Sequence, residues 1–307
     1  MSLAIYTHPA CLEHLLLPGH PESPERLRAV LSVLEAGRYA VLERIDAPAA
    51  TREQLARVHL QTLIEEVLDG PDLPYRQLDP DTAMTEGSAQ AALRAAGAVC
   101  KAIDDVMNTE NHRAFCAVRP PGHHATAGTA MGFCLFNSVA VGAAHALSVH
   151  GLERVAIVDF DVHHGNGSQD IFWSDARVLY ASTHQSPLYP DSGRSDEHGS
   201  ADNIVNVPLQ PGSGRDEFRS AITTVVLPAL EAFRPQLLII SAGFDAHRLD
   251  PLANLNLETD DFAWVTDQLV ALANRHCKGR LVSSLEGGYS LAALRESTRA
   301  HVDALMR

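Results

Sequence analysis

Short apolar runs alternate along this chain of 307 residues with longer stretches in which apolar side chains recur at helical spacing. The short runs predict β-strands at Leu3–Thr7, Arg113–Val118, Val155–Asp159, Val178–Ser182, Ile204–Val207, Leu237–Ser241 and Leu281–Leu285. The longer stretches predict helices at Glu86–Met107, Ser138–Val149, Asp216–Phe233, Asp260–Cys277 and Leu291–Met306. Strands that alternate with helices and are nearly continuous in Val, Ile and Leu are typical of a mostly parallel sheet with helices on both faces. We therefore expect an α/β fold.

The composition indicates one soluble domain. With 46% hydrophobic residues the chain can bury one large core, and no linker rich in Ser, Gly or Pro divides residues 1–307. The longest apolar runs are too short to span a bilayer, and Met1–Tyr6 lacks the basic region that opens a secretory signal. The five cysteines are scattered and include no C-x-x-C pair, as in a protein with reduced thiols. We expect a cytoplasmic protein without membrane association.

The chain is strongly acidic. A formal net charge of −14 and an isoelectric point near 5.5 argue against direct nucleic-acid binding through phosphates. An acidic surface attracts a cationic substrate or partner, although the same charge can serve solubility alone. Both interpretations stay open at this point.

Polar side chains are densest just after the predicted strand Val155–Asp159. There the chain reads Asp159-Phe160-Asp161-Val162-His163-His164. Side chains alternate across a strand, so Asp159, Asp161 and His163 leave it toward the same side. Carboxylates and imidazoles are metal ligands, and at this spacing two of them can bind one cation. The segment therefore predicts a metal site.

Three more polar loops follow predicted strands, at Arg119–Ala125, Ser241–His247 and Leu285–Ser290. In open α/β sheets, ligands bind beyond the carboxyl ends of the strands, where such loops meet. We expect the active site of this protein to lie in these loops.

Five motifs occur in the same order as in the histone deacetylase family, which the chain resembles. They are R-P-P-G-H-H-A at 119–125, G-F-C-L-F-N at 132–137, D-F-D-V-H-H-G-N-G at 159–167, A-G-F-D-A at 242–246 and E-G-G-Y at 286–289. The resemblance begins at His20 and runs to Tyr289. Asn166 and the E-G-G-Y form are closer to the class II and bacterial amidohydrolases of the family than to class I. The resemblance implies the arginase/deacetylase fold, formed by residues 1–307 as one catalytic domain.

By resemblance, Asp161, His163 and Asp245 hold a catalytic zinc that keeps an open position for water and substrate. Two carboxylates and one imidazole also suit Fe(II) or another divalent ion. Because the metal acidifies water and polarises the amide carbonyl, such an enzyme needs no nucleophilic Ser or Cys. The related ureohydrolases with two manganese ions need a further carboxylate at the position of Gly165, so we expect no binuclear site.

The same resemblance assigns the residues that transfer protons. It makes His124 the general base and later the general acid, oriented by Asn166. It places Asp159 behind the ring of His123, which contributes a charged or hydrogen-bonding partner. Tyr289 is the phenol that donates to the substrate carbonyl and stabilises the oxyanion.

The expected substrate is N-ε-acyl-lysine, most simply acetyl-lysine, in a peptide or protein. Gly132 and Phe133 match the family segment that lines the acyl-lysine channel, with Tyr189 as the opposite wall and Asp81 as a rim carboxylate that holds the substrate backbone. Leu252 lies where the polyamine-selective eukaryotic pattern has a glutamate, which favours acyl-lysine. An acetylpolyamine amidohydrolase is the alternative, and a catalytically silent binding module is a third interpretation.

Other assignments concern the surroundings of the site. Arg26 matches the arginine near the route by which the small acid product leaves, although a charge on a helix surface explains it equally well. The resemblance also implies structural K⁺ at a first set of residues, Asp159, Asp161, His163, Ser182 and Thr183. A second K⁺ is expected near Phe172, Asp175, Val178 and Asn203. The sequence leaves the oligomeric state open.

Overall fold

The computed structural model describes residues 3–35, 37–71, 73–109 and 112–307. The strands are β1 (Leu3–Thr7), β2 (Glu43–Asp46), β3 (Arg76–Asp79), β4 (Thr82–Met84), β5 (Arg113–Cys116), β6 (Val155–Asp159), β7 (Val178–Gln185), β8 (Ile204–Leu209), β9 (Leu237–Ala242) and β10 (Leu281–Leu285). The helices are α1 (Pro24–Leu34), α2 (Arg52–Leu55), α3 (Gln61–Asp69), α4 (Ser88–Asn108), α5 (Ser138–Val149), α6 (Asn166–Phe172), α7 (Arg215–Ala221), α8 (Leu227–Phe233), α9 (Thr259–His276) and α10 (Leu291–Leu305). Short 3₁₀ turns lie at Pro9–Leu12 and Gly37–Tyr39.

Eight of these strands form one sheet in the order β2-β1-β5-β10-β9-β6-β7-β8, and every neighbouring pair in it is parallel. Every residue of β5, β6, β9 and β10 is buried, so the centre of the sheet is covered on both faces. The helices α4 and α5 pack together and on the central strands, and α10 packs between α1 and α9. The strands β3 and β4 form a separate antiparallel ribbon. The expected α/β fold around a parallel sheet is confirmed.

The sheet order brings four polar loops to one edge. The strands β5, β10, β9 and β6 are neighbours and run parallel, so the segments that follow them leave the sheet side by side. Phe160 alternates with two aspartates after β6 and turns to the core, where its ring lies 6.2 Å from Phe244 and 6.1 Å from Phe262. The apolar side of this segment is thereby anchored, while its polar side faces the loops.

One predicted helix contains an irregular turn. The segment predicted as a continuous helix over Asp216–Phe233 forms α7, a π-helical turn at Ile222–Val226, and α8. Pro228 has no N–H to donate to the carbonyl four residues earlier, so the regular helical ladder is interrupted there. The hydroxyl of Thr224 in the same turn donates to the carbonyl of Ser220 at 2.8 Å. The predicted helix is therefore present over its whole length, with a π-helical turn that the sequence pattern does not indicate.

The strand β8 forms an open edge of the sheet. The carbonyl of Leu209 accepts from the amide of Ser186, just after β7, at 2.9 Å, so the even-numbered residues of β8 point to the open side. There the N–H of Ile204 donates to the carbonyl of His198 at 3.1 Å, and Pro208 has no N–H. None of the described helices has the length and apolar content that a bilayer crossing requires.

Candidate active site

Three buried side chains of metal-ligand type meet where β6 and β9 end. Asp161 and His163 follow β6 at alternate positions, and Asp245 follows the neighbouring strand β9. One ligand atom from each lies within 4.8 Å of the other two. His163 Nδ1 is 3.1 Å from Asp161 Oδ1 and 3.3 Å from Asp245 Oδ2. The fold thus brings together the three residues expected to hold a metal ion, and we call them the Asp₂His cluster.

Backbone amides orient both carboxylates of this cluster. Gly287 N donates to Asp161 Oδ2 at 2.8 Å, and Val162 N donates to Asp245 Oδ1 at 2.9 Å. A Cβ on Gly287 would lie 2.0 Å from Asp245 Oδ2, so only glycine allows this approach. Asp245 Oδ2 receives no hydrogen bond of good geometry within the described part of the chain, and its 3.3 Å contact with His163 Nδ1 is an ion-pair contact. A buried carboxylate oxygen without a donor is a ligand position for a cation.

The charges of the cluster also favour a cation. Burial, and after it the charge of Asp161, raises the pKa of Asp245 to about 7. Burial lowers the pKa of His163, but bonds and charges from the two carboxylates outweigh it and raise that pKa to about 10. Two buried carboxylates in contact are not both ionised without a positive partner, which here is the proton of His163. A divalent ion would replace that proton, and the donor set fits zinc and also Fe(II).

Two adjacent histidines lie beside the cluster. His123 Nδ1 donates to Asp159 Oδ2 at 2.9 Å, and His124 Nδ1 donates to Asn166 Oδ1 at 2.8 Å. The ring centroids of the two histidines are 4.0 Å apart, and the ring of His124 lies 5.9 Å from that of His163. Each histidine therefore has its own orienting partner, one charged and one neutral.

The two partners give the histidines different charges. Burial lowers the pKa of His123, but the carboxylates of Asp159 and Asp161 outweigh it and raise the pKa to about 10. Burial, together with the neighbouring charges of His123 and His163, holds the pKa of His124 well below its usual range. His123 is therefore an imidazolium near neutral pH, and His124 is a neutral ring whose Nε2 carries a lone pair.

Tyr289 follows the two glycines after β10. The guanidinium of Arg26 lies over its ring, 4.8 Å from the centroid, and the ring of Phe133 is 5.9 Å away. Burial raises the pKa of the Tyr289 hydroxyl well above its usual range. The hydroxyl therefore stays protonated and able to donate a hydrogen bond.

The residues expected to line a channel surround His124. The ring centroid of Tyr189 lies 5.2 Å from that of His124. Gly132 has a φ of 58°, and a Cβ on it would lie 2.4 Å from the His124 ring, so glycine alone lets this wall approach so closely. Asp81, expected at the rim, accepts a hydrogen bond from Gly132 N at 3.0 Å and so braces the wall that Phe133 belongs to.

Asp250 connects two parts of the site and was not singled out by the sequence. Its Oδ1 accepts from the amide of Leu252 at 3.0 Å, and its Oδ2 accepts from the amides of Tyr289 at 2.7 Å and Ser290 at 3.2 Å. One buried carboxylate thus fixes the expected specificity residue relative to the expected oxyanion donor. The available signal was an Asp before Pro251 in the loop after β9, which is equally typical of an ordinary turn.

A buried ion network lies against the E-G-G-Y loop. Glu22 accepts from Arg119 through both carboxylate oxygens, at 2.5 and 2.6 Å, and from Arg26 Nη1 at 3.0 Å. Arg26 also donates to the carbonyl of Gly288 at 2.7 Å and to that of Glu286. Arg26 is fully buried, so its interpretation as a helix-surface charge is wrong. Arg119 opens the first motif and Glu22 lies near the start of the family resemblance, but no spacing rule pairs them.

Glu286 joins the loop after β10 to the loop that carries the two histidines. Its Oε2 accepts from the amides of Gly122 at 2.6 Å and His123 at 3.2 Å. Burial raises its pKa to about 7. This carboxylate therefore fixes the backbone at Gly122 and His123, just before His124.

The residues expected around potassium also fall into two groups in space. In the first, Ser182 Oγ bonds to His184 Nδ1 at 2.9 Å, and the buried Thr183 Oγ1 has no hydrogen-bond partner among the described residues. In the second, the side-chain amide of Asn203 contacts the carbonyls of Phe172, Asp175 and Val178.

A second group of ligand-type side chains lies between α4 and α5, and we call it the helix cluster: Asp104, His145 and His150. Asp104 Oδ1 accepts from the Nε2 atoms of His145 at 2.8 Å and His150 at 2.7 Å. Arg57 Nη1 donates to His145 Nδ1 at 2.8 Å. The Asp104 side chain is 36% exposed.

Comparison with known proteins assigns the chain to a family. It is 43% identical over 280 residues to a protein of Pseudomonas aeruginosa named histone deacetylase-like amidohydrolase, covering 89% of this chain and 73% of the relative. A probable deacetylase of Archaeoglobus fulgidus is 38% identical over 315 residues, covering 100% of this chain and 86% of the relative. The crystal structure of the HDA15 HD domain matches with a TM-score of 0.94 at 38% identity, covering 99% of this chain and 88% of that one. The histone deacetylase domain is matched over residues 20–305, and the chain belongs to the histone deacetylase family.

Proposed function

We propose that residues 1–307 form one catalytic domain that hydrolyses the amide bond of N-ε-acyl-lysine, with acetyl-lysine in a peptide or protein as substrate. The observation that carries this proposal is the buried Asp₂His cluster, whose Asp245 Oδ2 has no donor among the described residues, beside the neutral ring of His124. Asp161, His163 and Asp245 would hold Zn²⁺, or Fe²⁺ in its place. When bound, the ion supplies a Lewis acid for the amide carbonyl and acidifies water in the site.

His124 is the group that moves protons in this proposal. Its Nδ1 donates to Asn166, so the lone pair of Nε2 is available to accept a proton from the attacking water. The same nitrogen then returns that proton to the leaving amine. His123, kept protonated by Asp159, adds a positive charge beside the developing negative charge.

Tyr289 is the proposed donor to the oxyanion, because its hydroxyl stays protonated and its ring is held under the guanidinium of Arg26. Arg26 itself is proposed to border the route by which the small acid product leaves, since it is buried against the same loop. Arg26 would then both hold the Tyr289 ring in place and border the exit route of the acid product.

The lysine stem would pass between Phe133 and Tyr189, whose aromatic faces bury its methylene groups. Gly132 and Asp81 shape that wall. Leu252 offers no charge to a polyamine ammonium, which supports acyl-lysine as the substrate class. K⁺ is proposed as a structural ion at Asp159, Asp161, His163, Ser182 and Thr183, where the unpaired Thr183 Oγ1 supports it.

An acetylated polyamine is the second candidate substrate, and one observation favours it. Burial, and after it the charge of Asp81, raises the pKa of Asp79, so two carboxylates lie close together beside the Gly132 wall. With a net charge of −14, this end of the channel would attract an ammonium group. A silent binding module is the third candidate, and it requires that the site turn over neither substrate.

The deciding experiment compares zinc-loaded enzyme on an acetyl-lysine peptide, N-acetylputrescine and N-acetylspermidine in parallel, with a chelated sample as control. We expect the highest kcat/KM on the peptide and its loss on chelation. Leu252→Glu is the matched variant, and it should shift the ratio toward the polyamines. Preference of the unchanged enzyme for a polyamine would make the second candidate primary, and inactivity on all three would favour the binding module.

A further inference from the structure

The side-chain amide of Asn203 lies against the connection between α6 and β7, three of whose carbonyls surround it. Its Nδ2 donates to the carbonyl of Phe172 at the end of α6 at 2.8 Å and to that of Val178 at the start of β7 at 2.9 Å. The carbonyl of Asp175, in the turn between them, lies 3.2 Å from the same nitrogen. Asn203 is buried and immediately precedes β8. We call the three carbonyls the carbonyl cage.

The cage has lone pairs left over from the backbone. The carbonyl of Phe172 already accepts from the amide of Asp175 at 3.1 Å, and that of Asp175 from the amide of Val178 at 3.0 Å. Each oxygen has a second lone pair, and these point to one common position. A carbonyl ring of this kind is how proteins replace the hydration shell of K⁺.

In this chain the common position is taken by nitrogen. An NH₂ group brings two protons, which serve the carbonyls of Phe172 and Val178, with Asp175 at the longer distance. The reversed amide would set Asn203 Oδ1 against three carbonyl oxygens with no proton between them, which is repulsive. With nitrogen within 3.2 Å of all three oxygens, no room is left for an ion there.

We infer that the Asn203 side-chain amide substitutes for the second potassium ion expected at these residues, so that the carbonyl cage is closed by the chain itself. The residues come together as the sequence resemblance implies, but they do not fit K⁺. Any K⁺ dependence of this protein then belongs to the first set, around Asp159 and Thr183.

Closure of the carbonyl cage by the Asn203 amide affects the active site through α6. This helix ends in the cage at Phe172 and begins at Asn166, the partner of His124. A helix of seven residues is too short to hold its position by itself, so its two ends depend on what they contact. A cage closed by an amide keeps Asn166 in place at any K⁺ concentration.

The test opens the cage and asks whether K⁺ then matters. The Tm and turnover of the zinc-loaded enzyme and of Asn203→Ala are measured in KCl and in choline chloride at equal ionic strength. Asn203→Ala should lose roughly 2–6 °C in Tm in choline chloride, and K⁺ should restore most of that loss, beyond its effect on the unchanged enzyme. Leu209→Ala, on the adjoining strand β8 but outside the cage, is the control, and its K⁺ response should equal that of the unchanged enzyme.

Equal K⁺ responses in the unchanged enzyme and Asn203→Ala would overturn the inference. A second measurement does not depend on the folding of the variant. Crystals of the unchanged enzyme are soaked in Tl⁺, a heavy mimic of K⁺, and anomalous scattering is recorded. No peak is expected at the carbonyl cage. A Tl⁺ peak within the cage would show that the amide moves aside for a cation, and the inference would fail.

Discussion

The Asp₂His cluster and the helix cluster contain the same kinds of side chain but differ in which lone pairs are in use. In the helix cluster, both imidazoles donate to one oxygen of Asp104, and Arg57 donates to the other nitrogen of His145. The Nε2 of His145 therefore carries its proton and has no lone pair for a metal. The three side chains and Arg57 thus bond to one another without a cation.

The Asp₂His cluster has the opposite character. Backbone amides take one oxygen of each carboxylate, while Asp245 Oδ2 has no donor among the described residues. Burial makes this costly unless a cation is present, whereas Asp104 remains in contact with water. Burial and unused lone pairs, rather than residue types, therefore distinguish a metal site from a hydrogen-bonded cluster.

The largest effect is expected when the Asp₂His cluster loses one of its carboxylates. Asp245→Ala removes the oxygen without a donor, so zinc content should fall to background and turnover below detection. Zinc is measured by atomic emission after dialysis, and turnover by release of acetate from a peptide. Asp104→Ala is the matched control and should keep both. Zinc loss in Asp104→Ala, or full zinc in Asp245→Ala, would contradict the distinction between the clusters.

Tyr289→Phe separates chemistry from metal binding at the Asp₂His cluster. Turnover should fall by about 10²–10³-fold, because one donor to the oxyanion is lost, while zinc content and Tm stay as they were. Steady-state kinetics and metal analysis on the same preparation check this. Unchanged turnover would remove Tyr289 from the proposed mechanism.

Asp250→Asn tests whether Asp250 positions Tyr289, the proposed donor, through the backbone of its loop. The side-chain NH₂ of Asn is a donor and cannot accept the hydrogen bond that the backbone N–H of Tyr289 now donates to Asp250. The loop that carries Tyr289 should therefore shift, and kcat should fall by about 10–100-fold. In a Tyr289→Phe background the same change should cost much less, since the donor it positions is already gone. A full additional loss in the double variant would mean that Asp250 acts on something other than Tyr289.

Asn166→Asp addresses the charge difference between the two histidines. In the proposed mechanism His124 must be neutral, so activity should be lost as pH falls through the pKa of His124, which burial and neighbouring charges now hold low. A carboxylate behind the ring would raise that pKa, and the acid limb of the kcat/KM profile should move up by about 1–3 pH units. An unmoved limb would show that another group sets it.

The smallest effect is expected at the helix cluster. Removing its carboxylate by Asp104→Ala should lower the free energy of unfolding by at most about 1 kcal/mol, because the pair is partly exposed and screened. Urea unfolding at neutral pH measures this. A loss of several kcal/mol, reversed by zinc, would identify the helix cluster as a second metal site after all.

The parts of the site that sequence could predict are the local ones. Alternation along β6 placed Asp161 and His163 on one side, and apolar runs located the strands. Asp245 lies 83 residues beyond Val162, whose amide donates to it. Only the family resemblance identifies Asp245 as a metal ligand. The resemblance also supplied Tyr289.

What sequence reasoning missed are long-range polar pairs and short elements. Glu22 and Arg119 are 97 residues apart, and nothing in local pattern links them. The seven residues of α6 are too few to show helical periodicity, and the apolar repeat over Asp216–Phe233 does not reveal the π-helical turn within that helix. Pairing of buried charges depends on the finished fold, so it becomes visible only there.

The open edge of β8 has a consequence for how the molecule behaves when crowded. A strand from another molecule can extend a sheet only if the edge offers a row of N–H donors. Here the donor of Ile204 is engaged by His198 and Pro208 has none, so an incoming strand would find at most the N–H of Asn206. The β8 edge, which no other described strand covers, is thus protected by its own backbone chemistry from pairing with a strand of another molecule.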